Sequence, residues 1–118
     1  MKNSLIPISE LLTTIAPPAR LEILLIIGAG EACVCHLEAR LGYRQAYISQ
    51  HLMALRQAEL IEARRDGKFV FYRLARPELL TVLEEAAKVC GICLPTVEAV
   101  RPEAQCACPN CAPEPIHL

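Results

Sequence analysis

The sequence predicts a mainly α domain with a β-hairpin wing, that is, a winged helix-turn-helix. Three observations predict it. Residues 33–58 read as two helices broken by Gly42, residues 61–74 read as two strand-like runs around Asp66-Gly67, and the positive charge gathers on this same stretch. Residues 40–76 carry a net +5, against −2 for residues 1–39 and −4 for residues 77–118, within a total of −1. A basic helix-turn-helix and hairpin inside a near-neutral chain is the distribution expected where phosphates are met.

A chain of 118 residues fits one small domain. Hydrophobic residues make up 53% of it and aromatics 4%, with no Trp, so aliphatic side chains must fill the core. No apolar run is long enough to span a membrane. The opening MKNSLIPISE lacks the charged-then-apolar build of a secretory signal. The expectation is therefore a cytoplasmic protein with no membrane partner. Seven cysteines in such a setting point to metal or redox chemistry rather than a disulfide scaffold.

The elements follow in order. Ile8, Leu11, Leu12 and Ile15 recur at helical spacing, with Ser9 as the expected cap of a short first helix. Pro17-Pro18 stops it, and Pro18 suits the first position of the next helix, over about residues 19–27. That helix is apolar nearly all round and should form the buried centre. Gly28 and Gly30 end it. A third helix is expected over residues 33–41, with Val34, Leu37 and Leu41 inward and Gly42 as its stop. A fourth runs over residues 44–58, burying Ile48, Leu52 and Leu55. Asp66-Gly67 reads as a two-residue hairpin turn with positive φ at both positions. Pro77 opens a fifth helix reaching about residue 90, with a wide apolar face of Leu79, Val82, Leu83, Ala86, Ala87 and Cys90. The first and last helices carry more apolar surface than one small core needs, which makes them the expected homodimer interface, with packing of both inside one subunit as the plainer alternative. Residues 1–92 thus form a DNA-binding and dimerisation domain, and residues 93–118 a Cys/Pro-rich tail without periodicity.

In a helix-turn-helix the second helix enters the major groove and presents side chains near its N-terminus. Those are Arg44, Gln45, Tyr47, Ser49, Gln50 and His51. Arg can bond guanine at two points and Gln can do so with adenine. Tyr47 and His51 also suit local packing, and His51 suits packing or a phosphate. On the hairpin, Arg64, Arg65 and Lys68 are placed for backbone or minor-groove contact, which gives affinity rather than sequence choice.

Cys33-Val34-Cys35 is the sharpest chemical feature. Residues two apart on a regular helix diverge by about 200°, so ligation of one ion by both sulfurs is expected to unwind the first turn of the third helix. Two inert buried cysteines are the plainer alternative. Further donors are His36, Cys90 and Cys93 of the CGIC sequence, and Cys106, Cys108 and Cys111 of CACPNC. Thiolate-rich sites prefer soft ions. Three thiolates suit trivalent arsenic or antimony, and also cadmium or lead; tetrahedral zinc needs a fourth donor. CGIC is similar to thioredoxin-type motifs, but those open a helix after a strand, so no enzyme is expected. A thiol oxidoreductase or metal carrier remains the alternative from another class.

Across residues 16–74, the runs PPARLEIL, CVCHL, SQHLMALRQAELI and RRDGKFVFYRL resemble the ArsR/SmtB family of winged-helix metal(loid)-sensing repressors. The resemblance covers about half of the chain. It implies a homodimer that represses its own operon, needs no cofactor to bind operator DNA, and releases the DNA when an inducer binds. In the arsenic and cadmium/lead branches a CVC pair at this place supplies thiolates, which carries over to Cys33 and Cys35. Two departures bear on the remaining ligands. Glu38 stands where the best-known arsenic sensors have a third cysteine, and residues 1–32 contain no cysteine to act as an N-terminal arm. The expected replacement is a tail cysteine. The zinc site that other members carry on the fifth helix needs Asp and His, which this helix lacks, so that site is expected to be absent. The inducer expected is As(III) or Sb(III), with Cd(II)/Pb(II) sensing or thiol redox/persulfide sensing as the alternatives within the class.

Overall fold

The computed structural model of the protein describes residues 2–94. Apart from Cys93 and Leu94, the tail lies outside the described residues, Cys106, Cys108 and Cys111 included. The order is α1 (Lys2–Ile15), α2 (Pro18–Ile27), β1 (Glu31–Cys33), α3 (Val34–Leu41), α4 (Gln45–Gln57), β2 (Ile61–Asp66), β3 (Phe69–Leu74) and α5 (Glu78–Cys90). The five helices and the hairpin are those the sequence predicts, with differences in detail.

Helix α1 starts earlier than expected and runs through Pro7, at the loss of one backbone bond. Ser9 consequently sits inside the helix rather than capping it. Pro17 is the N-cap of α2 and Pro18 opens it, where the missing N–H has no helical partner to lose. Ile23, Leu24 and Ile27 of α2 are buried, as a helix apolar on most sides requires. They form the centre of one cluster with Ile15, Leu37, Ile48, Leu52, Leu55, Ile61, Leu74, Leu79 and Leu83. Every element packed around α2 thus contributes aliphatic side chains, as the shortage of aromatics dictates.

A third strand was not expected. β1 pairs antiparallel with β3, giving the sheet order β1-β3-β2. The register sets Glu31 opposite Arg73, Ala32 opposite Tyr72 and Cys33 opposite Phe71. Helix α3 therefore begins at Val34, not at Cys33. The hairpin register pairs Asp66 with Phe69, so Gly67 and Lys68 form the turn in place of Asp66-Gly67. Gly67 alone of these has positive φ (61°). Glycine suits that position because a Cβ there carries a steric cost.

Gly42 ends α3 in the left-handed region (φ 73°), and its N–H donates to the Glu38 carbonyl at 2.8 Å. The chain then turns into α4, capped by the extended Arg44. In α5, Leu79, Leu83 and Ala87 are buried, whereas Ala86 and Cys90 are exposed. Large apolar side chains stay exposed on α1 (Leu5, Ile6, Ile8, Leu12) and at the α5 end (Val89, Ile92). Among the described residues no helix is long and apolar enough to cross a membrane.

Ile23 is fully buried at the centre of the cluster. Truncation of Ile23 to Ala should lower unfolding free energy by about 2–5 kcal/mol. Urea denaturation with an unchanged slope checks this; a loss below about 1 kcal/mol would place the centre of packing elsewhere.

Candidate nucleic-acid interface and cysteine site

Helix α4 buries Ile48, Leu52 and Leu55 against the core. Its opposite side leaves Arg44, Gln45, Tyr47 and Gln50 exposed, with Ser49 half-buried. These are five of the six residues expected to read DNA, and they share the exposed front of one helix.

The sixth, His51, turns inward. Its Nδ1 accepts from Arg20 Nε at 3.0 Å, and Arg20 also donates to the Thr14 carbonyl at 2.9 Å. Tyr47 packs edge-on against the His51 ring and Tyr43 against Tyr47, with centroids 4.5 and 5.1 Å apart. The Tyr43 hydroxyl donates to Glu22 Oε1 at 3.0 Å, which raises its pKa above the ordinary value. Two polar tethers from α2 thus hold the reading helix in place. Neither Arg20 nor Glu22 stands out as a site residue from sequence pattern alone. Their signal was an arginine and a glutamate interrupting an otherwise apolar helix.

His51 is held neutral. Nδ1 accepts a bond, so the ring proton sits on Nε2, which is buried without a hydrogen-bond partner. A second proton would have to face Arg20. Burial first, and the Arg20 charge second, accordingly push the His51 pKa below 6.5.

On the hairpin, Arg65 and Lys68 are exposed, and the Lys68 ammonium lies 5.5 Å from the Phe69 centroid. Arg64 is engaged within the protein. Its Nε and Nη2 donate to the two carboxylate oxygens of Glu31 at 2.9 and 2.8 Å.

The cysteine site corrects the helical geometry expected of it. Cys33 is the last residue of β1 and the N-cap of α3, with extended backbone (φ −93°, ψ 166°). Cys35 lies in the first helical turn. The change from strand to helix between them brings the two sulfurs to 2.8 Å instead of sending them apart. With metal–sulfur bonds of about 2.3 Å, two thiolates on one tetrahedral ion sit roughly 3.8 Å apart. Side-chain rotation covers that difference, so ligation needs no unwinding of α3. The His36 N–H donates to Cys33 Sγ at 3.3 Å, and the N-terminus of α3 favours negative charge at this place. Cys33 is buried against Phe71, with Cys35 and Phe69 packed beside them. The reduced protein is the form in which both sulfurs act as thiolates.

Among the described residues no group of three or more His, Cys, Asp or Glu side chains is placed to hold an ion. His36, Cys90 and Cys93 are therefore not assembled with the pair. Burial, with Arg40 adding to it, lowers the His36 pKa, and Cys90 and Cys93 are exposed at the end of α5. Cys106, Cys108 and Cys111 lie outside the described residues. The pair fits two bonds to a soft ion and leaves the rest of the coordination shell to be supplied.

Comparison with known proteins bears on both sites. Residues 17–63 match the family model described as bacterial regulatory protein, arsR family. The chain is 39% identical over 84 residues to a biofilm growth-associated repressor of Agrobacterium fabrum, covering 71% of this chain and 72% of that one. It is 43% identical over 72 residues to the arsenical resistance operon repressor of Escherichia coli, covering 60% and 61% respectively. Among solved structures, the homodimeric winged helix-turn-helix DNA-binding domain Mb0332 of Mycobacterium bovis superposes with TM-score 0.67 at 27% identity, over 76% of this chain and 83% of that one.

The lowered His51 and His36 values carry a sign. Between the native value and 6.5, the unfolded chain binds more protons than the folded one, so stability falls as pH drops through this window. His51→Gln keeps an acceptor for Arg20 and removes one of the two titrations. Urea unfolding at about pH 7.5 and about pH 5.5 should show a smaller acid loss in the variant than in wild type; equal losses would contradict the buried-neutral assignment.

Proposed function

The chain belongs to the ArsR/SmtB family of winged-helix transcriptional regulators, DNA-binding proteins rather than enzymes, and from that premise we propose that it represses a metal(loid)-resistance operon and leaves its operator when a soft ion binds. The ion is trivalent arsenic or antimony, taken by the thiolates of Cys33 and Cys35 with a further thiolate from Cys106, Cys108 or Cys111. The observation that carries this reading is the convergence of the two sulfurs at the start of α3, the helix that leads through Gly42 into α4. The arsenical resistance repressor among its relatives favours arsenic over cadmium or lead.

In this reading the protein acts as a homodimer. The exposed apolar residues of α1 and the α5 end are the surfaces that pairing would cover, and the Mb0332 domain is itself homodimeric. Arg44, Gln45, Tyr47, Ser49 and Gln50 meet base edges or phosphates, and Arg65 and Lys68 meet the backbone beside them. His51 supports this face from behind instead of reading a base. Arg64 reaches DNA only when its pairing with Glu31 is given up.

The approach of the two sulfurs to 2.8 Å also suits one second reading, a thiol redox sensor in which oxidation of the pair replaces ion binding as the signal.

Reduced protein on labelled upstream DNA under argon separates these readings. Arsenite should lower wild-type affinity about tenfold or more and leave the Cys33→Ser, Cys35→Ser variant bound. Equal release in both would move the site to other cysteines. Release by oxidant with none by arsenite would select the redox reading.

A further inference from the structure

Strand β1 supplies Cys33 to the ion site, yet it has no backbone pairing with the wing strand β2, because β3 lies between them. A side-chain bridge spans the gap. Residues paired across an antiparallel ladder put their side chains on the same face. Cys33, Phe71 and Arg64 therefore form one row across the three strands, with Glu31 and Arg73 in the next row on that face. From β2, Arg64 lays its guanidinium over the Phe71 ring, 4.8 Å from the centroid, and grips both carboxylate oxygens of Glu31 on β1. The Phe71 ring under it is fully buried and packs on Cys33. The bridge thus ties the strand holding the sulfur to the strand leading to Arg65, the turn and Lys68.

Resting on the ion-site reading above, we propose that the Arg64–Glu31 pair is the relay by which ligation at Cys33 reaches the wing. With the pair closed, β2 is braced against β1 and the wing holds the angle that seats Arg65 and Lys68 on phosphates. Ligation rotates the Cys33 side chain away from its present position beside Cys35 Sγ. Phe71 fills the space against Cys33 and carries the guanidinium on its other side, so its ring shifts with the sulfur. A two-pronged bond tolerates little lateral shift, so the pair opens and the wing loses its brace. Arg64 and Glu31 are positioning residues here, since neither touches the ion.

Glu31→Gln removes the charge and one of the two strong acceptors. Arg64→Lys keeps the positive charge at this position but loses the fork. Cadmium is the probe, because its thiolate bonds absorb in the ultraviolet, so ion binding is read before DNA is added. Both variants should bind cadmium with wild-type stoichiometry and melt within a few degrees of wild type, since exposed ion pairs contribute little to stability. Glu31→Gln should bind DNA several-fold more weakly without the ion. In both variants the cadmium-induced loss of DNA affinity should shrink from about tenfold to about threefold or less. DNA should reciprocally weaken cadmium binding by that same smaller factor. Wild-type coupling in both variants, at full cadmium occupancy, would overturn the relay while leaving the ion site standing. Absence of Cys33- and Cys35-dependent cadmium absorption in the wild type would overturn both.

Discussion

Cys33 serves two elements at once. It closes the pairing of β1 with β3 opposite Phe71, and it caps α3. Extended backbone is the shared requirement, because a strand residue and an N-cap both sit outside helical φ and ψ. That single constraint starts α3 at Val34, sinks the Cys33 sulfur against Phe71 and leaves it facing Cys35. A regular helix through residue 33 would have separated the sulfurs and left β3 without its inner partner. The chemistry of the pair follows from where a strand ends.

The reading helix depends on the same centre by another route. Its inner residues are gripped by the aliphatic cluster around α2, which fixes its depth but constrains its rotation weakly. The polar tethers supply the missing constraint. Arg20 holds the middle of α4 through His51 while reaching back to α1, and Glu22 holds the turn before α4 through Tyr43. A neutral His51 is the condition for the first tether, so burial that disfavours its charged form also preserves the orientation of the DNA-facing side. Sulfur site and reading helix are thus set by different contacts to one core, with α3 between them.

Strong local signals made most of this fold legible. Pro18 opening a helix, Gly42 in the left-handed region and the spacing of Ile48, Leu52 and Leu55 each have a physical cause within a few residues, and each stands where the sequence put it. Strand β1 was not legible. Three residues, Glu-Ala-Cys, are too few for an alternating pattern, and their conformation is imposed by β3, some forty positions away. Reading Cys33 as helical misplaced its sulfur and called for an unwinding that the strand end makes unnecessary. Arg64 shows the same limit: beside Arg65 and Lys68 it reads as one more DNA contact, and only the register brings Glu31 and Phe71 alongside it. His51 suits packing from its place on the flank of α4, and the fold supplies the partner, Arg20, behind it.

One ion shared by Cys33 and Cys35 at an intact strand–helix junction is what the proposed switch requires. X-ray absorption at the arsenic edge of arsenite-loaded, reduced protein tests this directly, with far-ultraviolet circular dichroism on the same samples. Replacement of either cysteine by serine should remove one sulfur from the arsenic shell, and loading the wild type should leave its helix content unchanged. An unaltered sulfur count in both single variants, or a loss of helix when wild type is loaded, would contradict it.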